Sequence, residues 1–276
     1  MATVAAGDGV ALYAETHGEG LPVVLSCALC TTCENYRAQV EPLVEAGAQL
    51  ILWDYRGHGR SESPDDPAAY SLDRVVDDLG RVLDWAAPGR AAVLGGLSFG
   101  GLASLHFTHR FPKRVSGLLL IDSGPGFKNP QAQASWEASV ERTAAYVESK
   151  GSAAFVESRA AATLIGLRPE LAEARAAAKA IAAQNPVGLA HFARRVAAPA
   201  PPVIDVLREI DVPALVVVGE KDDAYLRAAD VMAARLPQAE RQTISGAGHI
   251  VNIEASAAFN EAATRFIRQI ASHRSD

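Results

Sequence analysis

The sequence predicts an α/β protein: a mostly parallel sheet flanked by helices on both faces, with a helical insertion. Two observations predict it. Short, β-branched apolar runs alternate with amphipathic helical patterns through most of the chain, as repeated strand–helix–strand units do. Residues 126 to about 204 break that rhythm with an alanine-rich stretch holding several helical runs and no convincing strand. The chain has 276 residues, 49% of them apolar and 21% charged. That is enough for one large domain, or for a core with an inserted subdomain, without disulfide staples.

The elements follow in order. Val10 to Glu15 reads as a short strand between polar turns. Pro22-Val23-Val24-Leu25-Ser26-Cys27 is short and continuously apolar, as suits a strand covered on both faces. Cys33 to Ala46 is predicted helical, interrupted or begun near Pro42. Gln49 to Trp53 is another buried strand. From Leu72 to Ala86, Leu72, Val75, Val76, Leu79, Val82 and Leu83 recur at three- and four-residue steps, and Ser71 precedes them as an N-cap. Ala91 to Leu97 is a strand and Gly100 to Phe111 a helix, stopped at Pro112. Val115 to Ile121 is the next strand. The insertion closes at Pro199, Pro201 and Pro202. Beyond it, Pro213 to Val218 and Gln242 to Ile244 read as strands, and Ala224 to Leu236 and Ala255 to Ile270 as helices. Residues 1–125 and 205–276 are therefore expected to form the core. Residues 126–204 are expected to form a cap over the carboxyl ends of the strands, where open α/β sheets bind ligands. The alternative is a passively packed subdomain.

Composition narrows the function classes. A formal charge of −6 carries no nucleic-acid footprint. No apolar run approaches the ~20 residues that span a bilayer as a helix. The segment Met1 to Asp8 lacks a basic stretch followed by a long apolar run, so a cytoplasmic location is expected. Oligomeric state stays open.

The sharpest motif is Gly96-Leu97-Ser98-Phe99-Gly100, extended by Gly95 and Gly101, between a predicted strand and a predicted helix. A chain that turns this sharply while presenting a serine needs small neighbours. Ser98 then sits at a helix N-terminus, where amides favour an anion. A phosphate loop is disfavoured: no Lys follows the serine, and the dinucleotide-binding glycine order is missing.

A serine hydroxyl needs a base. His249, in Gly246-Ala247-Gly248-His249-Ile250, falls in a loop after the last strand, at the same end of the sheet as Ser98. His58, in Asp54-Tyr55-Arg56-Gly57-His58-Gly59-Arg60-Ser61, is the main competitor. Asp54, Arg56 and His58 are read as structural, fixing a tight loop. His106 and His109 lie within the helix after Ser98, and His17, His191 and His273 have no supporting context. The orienting acid is expected at a strand end, and Gly219-Glu220-Lys221-Asp222-Asp223 supplies it. Asp222 is preferred, with Asp223 and Asp122 as alternatives that spacing does not settle.

Attack on a carbonyl creates an oxyanion that needs preorganised N–H donors. The Phe99 amide is one. The second is expected from the loop after Cys27, with Leu29 the natural donor and Ala28 or Cys30 one residue away. Cys27, Cys30 and Cys33 lie in the same loop. They read as apolar lining rather than as a three-thiolate metal site, and exposed thiolates there would be oxidation-sensitive.

Over nearly its whole length the chain resembles the α/β-hydrolase family. Gly96-Leu97-Ser98-Phe99-Gly100, the Asp54-to-Ser61 loop, Gly219-Glu220-Lys221-Asp222 and Gly248-His249 carry the resemblance. It implies an eight-stranded, mostly parallel sheet with a helical cap. It also implies a Ser98–Asp222–His249 triad, with Leu29 and Phe99 amides as the oxyanion hole. Ser26-Cys27-Ala28-Leu29-Cys30-Thr31-Thr32 is similar to the early loop of 3-oxoadipate enol-lactonases and related small esterases, which commonly have Ser-Asn-Ser-Leu-Gly-Thr. The expected activity is hydrolysis of a small to medium carboxylic ester or lactone, with no cofactor and no metal. The alternatives are carbon–carbon hydrolysis, acyl transfer or perhydrolysis by the same triad, or a non-catalytic binder on the same fold.

Overall fold

The computed structural model describes residues 2–272. Eight strands form one sheet: β1 Ala2–Ala5, β2 Ala11–His17, β3 Leu21–Ser26, β4 Ala48–Trp53, β5 Ala92–Leu97, β6 Val115–Ile121, β7 Ala214–Gly219 and β8 Ala239–Ile244. Their spatial order is β1-β2-β4-β3-β5-β6-β7-β8. β1 and β2 run antiparallel at one edge, and every pairing from β4 through β8 is parallel. β3, β5 and β7 are buried along their whole length, so their sequences are continuous apolar runs rather than alternating ones.

Helices cover both faces: α1 Arg37–Glu45, α2 Leu72–Ala86 and α3 Phe99–Arg110 in the first half, then α4 to α7 in the insertion, then α8 Asp223–Arg235, α9 Val251–Glu254 and α10 Ser256–Ser272. α2 has the expected limits, and Ser71 caps it by accepting the Arg74 N–H at 3.2 Å. The segment from Cys33 begins as a 3₁₀ turn and becomes α1 only at Arg37. Pro42 sits inside α1, where it cannot bond the Ala38 carbonyl. The Asn260 amide from α10 donates to that carbonyl instead, at 2.9 Å.

The insertion lies between β6 and β7. It comprises α4 Pro130–Val156, broken at Gly151 (φ +83°), α5 Ala162–Ile165, α6 Ala172–Ala182 and α7 Pro186–Phe192, which runs into a π turn at Ala193–Ala197. Among the described residues it contains no strand. Its two small apolar clusters and the main core all pack against Leu29. β1 and the polar start of β8, Ala239-Glu240-Arg241, are strands that periodicity did not predict. Both are edge segments whose pairing, not burial, holds them extended.

Candidate active site

The turn from β5 to α3 places Ser98 at φ +54°, ψ −114°, a region that L-residues rarely occupy. A Cβ on Gly96 or on Gly100 would lie 2.2 Å from the Ser26 carbonyl oxygen of neighbouring β3. The glycines are needed because the next strand's backbone already fills that space. Ser98 N–H donates to the Ile121 carbonyl at 2.8 Å, and Ser123 Oγ donates to the Ser98 carbonyl at 2.6 Å.

The loops after β7 and β8 bring Asp222 and His249 to the same end of the sheet. His249 Nδ1–H donates to Asp222 Oδ2 at 2.7 Å, which leaves Nε2 as the acceptor. Ser98, Asp222 and His249 are 8%, 5% and 7% exposed and line one cavity of about 230 Å³. Asp223 is exposed at the start of α8, away from that bond. Asp122 is fully buried, and its carboxylate accepts the amides of Gly219 and Val251.

Ser98 Oγ hydrogen-bonds Tyr225 Oη at 3.1 Å, and among the described residues it makes no bond to His249. The Tyr225 ring also stacks on the His249 imidazole, centroids 4.9 Å apart and planes at 24°. Burial pushes its phenol above the ordinary value, so it is a neutral O–H. Sequence reasoning missed Tyr225. Its only signal was its position one helical turn after Asp222.

The early loop sorts its own donors. The Ala28 N–H donates to Thr31 Oγ1 at 2.9 Å, and the Cys30 N–H to His58 Nε2 at 3.1 Å. Among the described residues, the Leu29 and Phe99 amides have no partner. His58 must be unprotonated at Nε2 to accept, which puts its proton on Nδ1, toward the Arg56 carbonyl. Burial lowers its pKa to about 4. Gln184 from the insertion grips the same loop, donating to the Cys30 carbonyl at 2.7 Å. Cys30 is thereby held at φ +66°, the left-handed conformation that a glycine would take without strain.

The Asp54–Ser61 loop is an internal scaffold. Asp54 accepts the amides of Cys33 and Arg60. Arg56, 1% exposed, bonds Asp78 through two nitrogens at 2.7 and 2.8 Å and also reaches Asp8. The cysteines are not exposed thiolates. Cys27, Cys30 and Cys33 are free and buried, and burial raises all three thiols, Cys30 to about 12. They also diverge: Cys27 Sγ meets the Trp53 carbonyl, Cys33 Sγ meets Arg60, and Cys30 lines the cavity. The remaining described histidines lie elsewhere. His106 faces the Pro201 carbonyl, His191 the Asp65 carbonyl, and His17 the Glu15 carboxylate. His109 lies exposed in the last turn of α3, and His273 lies outside the described residues.

A second cavity, about 260 Å³, also borders Ser98. Phe99, Leu102, Phe127, Ala200 and Ala228 give it an apolar wall. Trp136, Ala224 and Tyr225 line both cavities, and neither lining contains Lys or Arg.

Residues 22–256 match the family model for the alpha/beta hydrolase fold. The chain belongs to the α/β-hydrolase family. Among solved structures, this chain is similar to a thermophilic esterase from Thermogutta terrifontis with malate bound. The two are 27% identical, with a TM-score of 0.84 over 98% of this chain and 97% of that one. It shares its fold with the enol-lactonase from Burkholderia xenovorans LB400, at 24% identity and a TM-score of 0.81 over 96% of this chain and 99% of that one. A 2-hydroxy-6-oxononadienedioate/2-hydroxy-6-oxononatrienedioate hydrolase of Klebsiella pneumoniae is 34% identical over 126 residues. That match spans 44% of this chain and 38% of the relative. Among the described residues, no helix is long and apolar enough to cross a membrane.

Proposed function

We propose that this protein is a serine hydrolase that cleaves a small to medium carboxylic ester or lactone through an acyl-enzyme. One observation carries the reading. A serine on a strained strand–helix turn shares a buried cavity with a histidine whose Nδ1–H is held 2.7 Å from a carboxylate. The Leu29 and Phe99 amides, without partners among the described residues, supply the oxyanion hole. Ser98 turns from Tyr225 to His249 and attacks the carbonyl as His249 Nε2 takes its proton. Charge develops on the carbonyl oxygen in front of the two N–H groups. His249 then protonates the leaving alcohol, and a water deprotonated by His249 releases the acid.

The insertion, residues 126–204, acts as the cap: its Trp136, Val140, Thr143, Phe155 and Leu164 roof the cavity of His249. Without Lys or Arg in either wall, the preferred substrate is uncharged around the scissile bond. That argues against a dianion such as the one naming the Klebsiella relative, and against carbon–carbon hydrolysis of that substrate type.

Fluorophosphonate labelling tests the reading, together with a panel of p-nitrophenyl acetate and butyrate, lactones and β-diketones. Stoichiometric labelling and ester turnover are expected. Ser98→Ala should abolish labelling and lower kcat on the order of 10⁵-fold, and His249→Ala should reduce both strongly. A folded wild type that takes no label and turns over no ester would instead be a binding protein.

A further inference from the structure

The three-residue segment Ile121-Asp122-Ser123, at the end of β6, bonds all three loops of the site. Its first and third members hold the nucleophile's backbone: the Ile121 carbonyl accepts the Ser98 N–H, and Ser123 Oγ donates to the Ser98 carbonyl. The middle member holds the other two. Asp122 Oδ1 accepts the Gly219 N–H at 2.7 Å, three residues before Asp222. Asp122 Oδ2 accepts the Val251 N–H at 3.3 Å, two residues after His249. Its own N–H donates to the Val217 carbonyl of β7 at 2.9 Å. No mechanistic step above uses Asp122.

Asp122 sits at φ +40° with its side chain fully buried. A non-glycine residue in the left-handed region is strained and persists only where the surrounding structure holds it. Here that conformation sends the side chain across the end of β7, toward both amides. A smaller residue would leave two buried N–H groups without acceptors.

We propose that Asp122 is a positioning residue that fixes the spacing between the Asp222–His249 pair and Ser98. One carboxyl group spans the two loops that deliver acid and base, and its chain neighbours hold the loop that delivers the nucleophile. The three loops thus share one reference point on β6. Burial pushes the Asp122 carboxyl well above the ordinary range, against the Gly219 amide that favours the carboxylate and with the charge of Asp222 adding to the rise. The catalytic consequence of Asp122 rests on the serine-hydrolase reading, but its effect on the His249–Asp222 bond does not.

Asp122→Ala and Asp122→Asn separate the two ideas. Three quantities are measured: kcat and KM on p-nitrophenyl butyrate, the fluorophosphonate labelling rate, and the far-downfield proton resonance of His249 Nδ1–H, assigned with His249→Gln. Misplacing reacting groups by about 1 Å costs roughly 100-fold. Asp122→Ala should lower kcat and the labelling rate 30- to 100-fold, leave KM within about threefold, and shift or erase the resonance. Asp122→Asn keeps the shape and one acceptor oxygen and should fall between. If Asp122→Ala does not fold, Asp122→Asn carries the test. Wild-type kcat with an unmoved resonance in the folded variant overturns the proposal. A wild type that neither hydrolyses nor labels, but loses the resonance on substitution, overturns the hydrolase reading and leaves the positioning role standing.

Discussion

Tyr225 touches both side chains that the proposed chemistry needs, through its hydroxyl to Ser98 and its ring to His249. A neutral hydrogen bond of this kind is worth about 1 kcal/mol. Ser98 must give it up before it can donate to His249. Tyr225→Phe keeps the stacked ring and removes the bond, so acylation by a fluorophosphonate should become about fivefold faster with little change in melting temperature. A slower reaction in the Phe variant would show that the hydroxyl acts on the substrate instead. The same scale explains why, among the described residues, the Leu29 amide rather than that of Ala28 or Cys30 is left without a partner. Thr31 and His58 consume the neighbouring amides. The Cys30–His58 bond joins loops 28 residues apart, so no local pattern announces it.

Among the elements, the β3–β5 pair sets the tolerance of the site. Ser26 lies opposite Gly96 in register, and its carbonyl oxygen fills the space beside both Gly96 and Gly100. A Cβ on Gly100 would also come within 2.9 Å of the Cys27 carbonyl oxygen, which can retreat only by disrupting the start of the loop after β3. Gly100→Ala is therefore expected to cost about 3 kcal/mol or more. A thermal melt followed by circular dichroism would show a clear drop in midpoint, and an unchanged midpoint would mean that β3 is softer than its packing implies. α2 was legible to the residue because an apolar face and a capping serine act within one helix. The 3₁₀ start before α1 was not: it depends on Asp54 accepting the Cys33 amide from another strand's loop. Pro42 inside α1 depends likewise on Asn260, more than 200 residues away.

Across the whole molecule, the insertion is tied to the site by single buried groups. Glu254 accepts the Leu167 amide of the insertion through one oxygen at 2.7 Å and the Gly248 amide, beside His249, through the other. Gln184 ties the insertion to the loop after β3, through the Cys30 carbonyl. His58, under that loop, links the fold to pH. Its folded pKa, about 4, lies below the ordinary 6.5, so the unfolded chain binds this proton first as pH falls. The stabilisation is complete above pH 6.5 and is lost on the way down to pH 4, by roughly 3 kcal/mol from this group. Melts across that window should show the wild type losing stability more steeply than His58→Gln, whose side chain does not titrate. Parallel profiles for the two proteins would rule out His58 as the source.

The amino-acid sequence alone determined the alternation of strands and helices, the helical insertion, the serine turn and the candidate acid and base. Each depends on periodicity, glycine placement or chain order, which are properties of neighbouring residues. Tertiary structure decided which amide of the early loop stays free, where the serine hydroxyl points at rest, that the cysteines are buried and apart, and that Asp122 bonds two loops. Those outcomes come from hydrogen bonds and packing between segments far apart in the chain, whose partners exist only once the sheet has assembled.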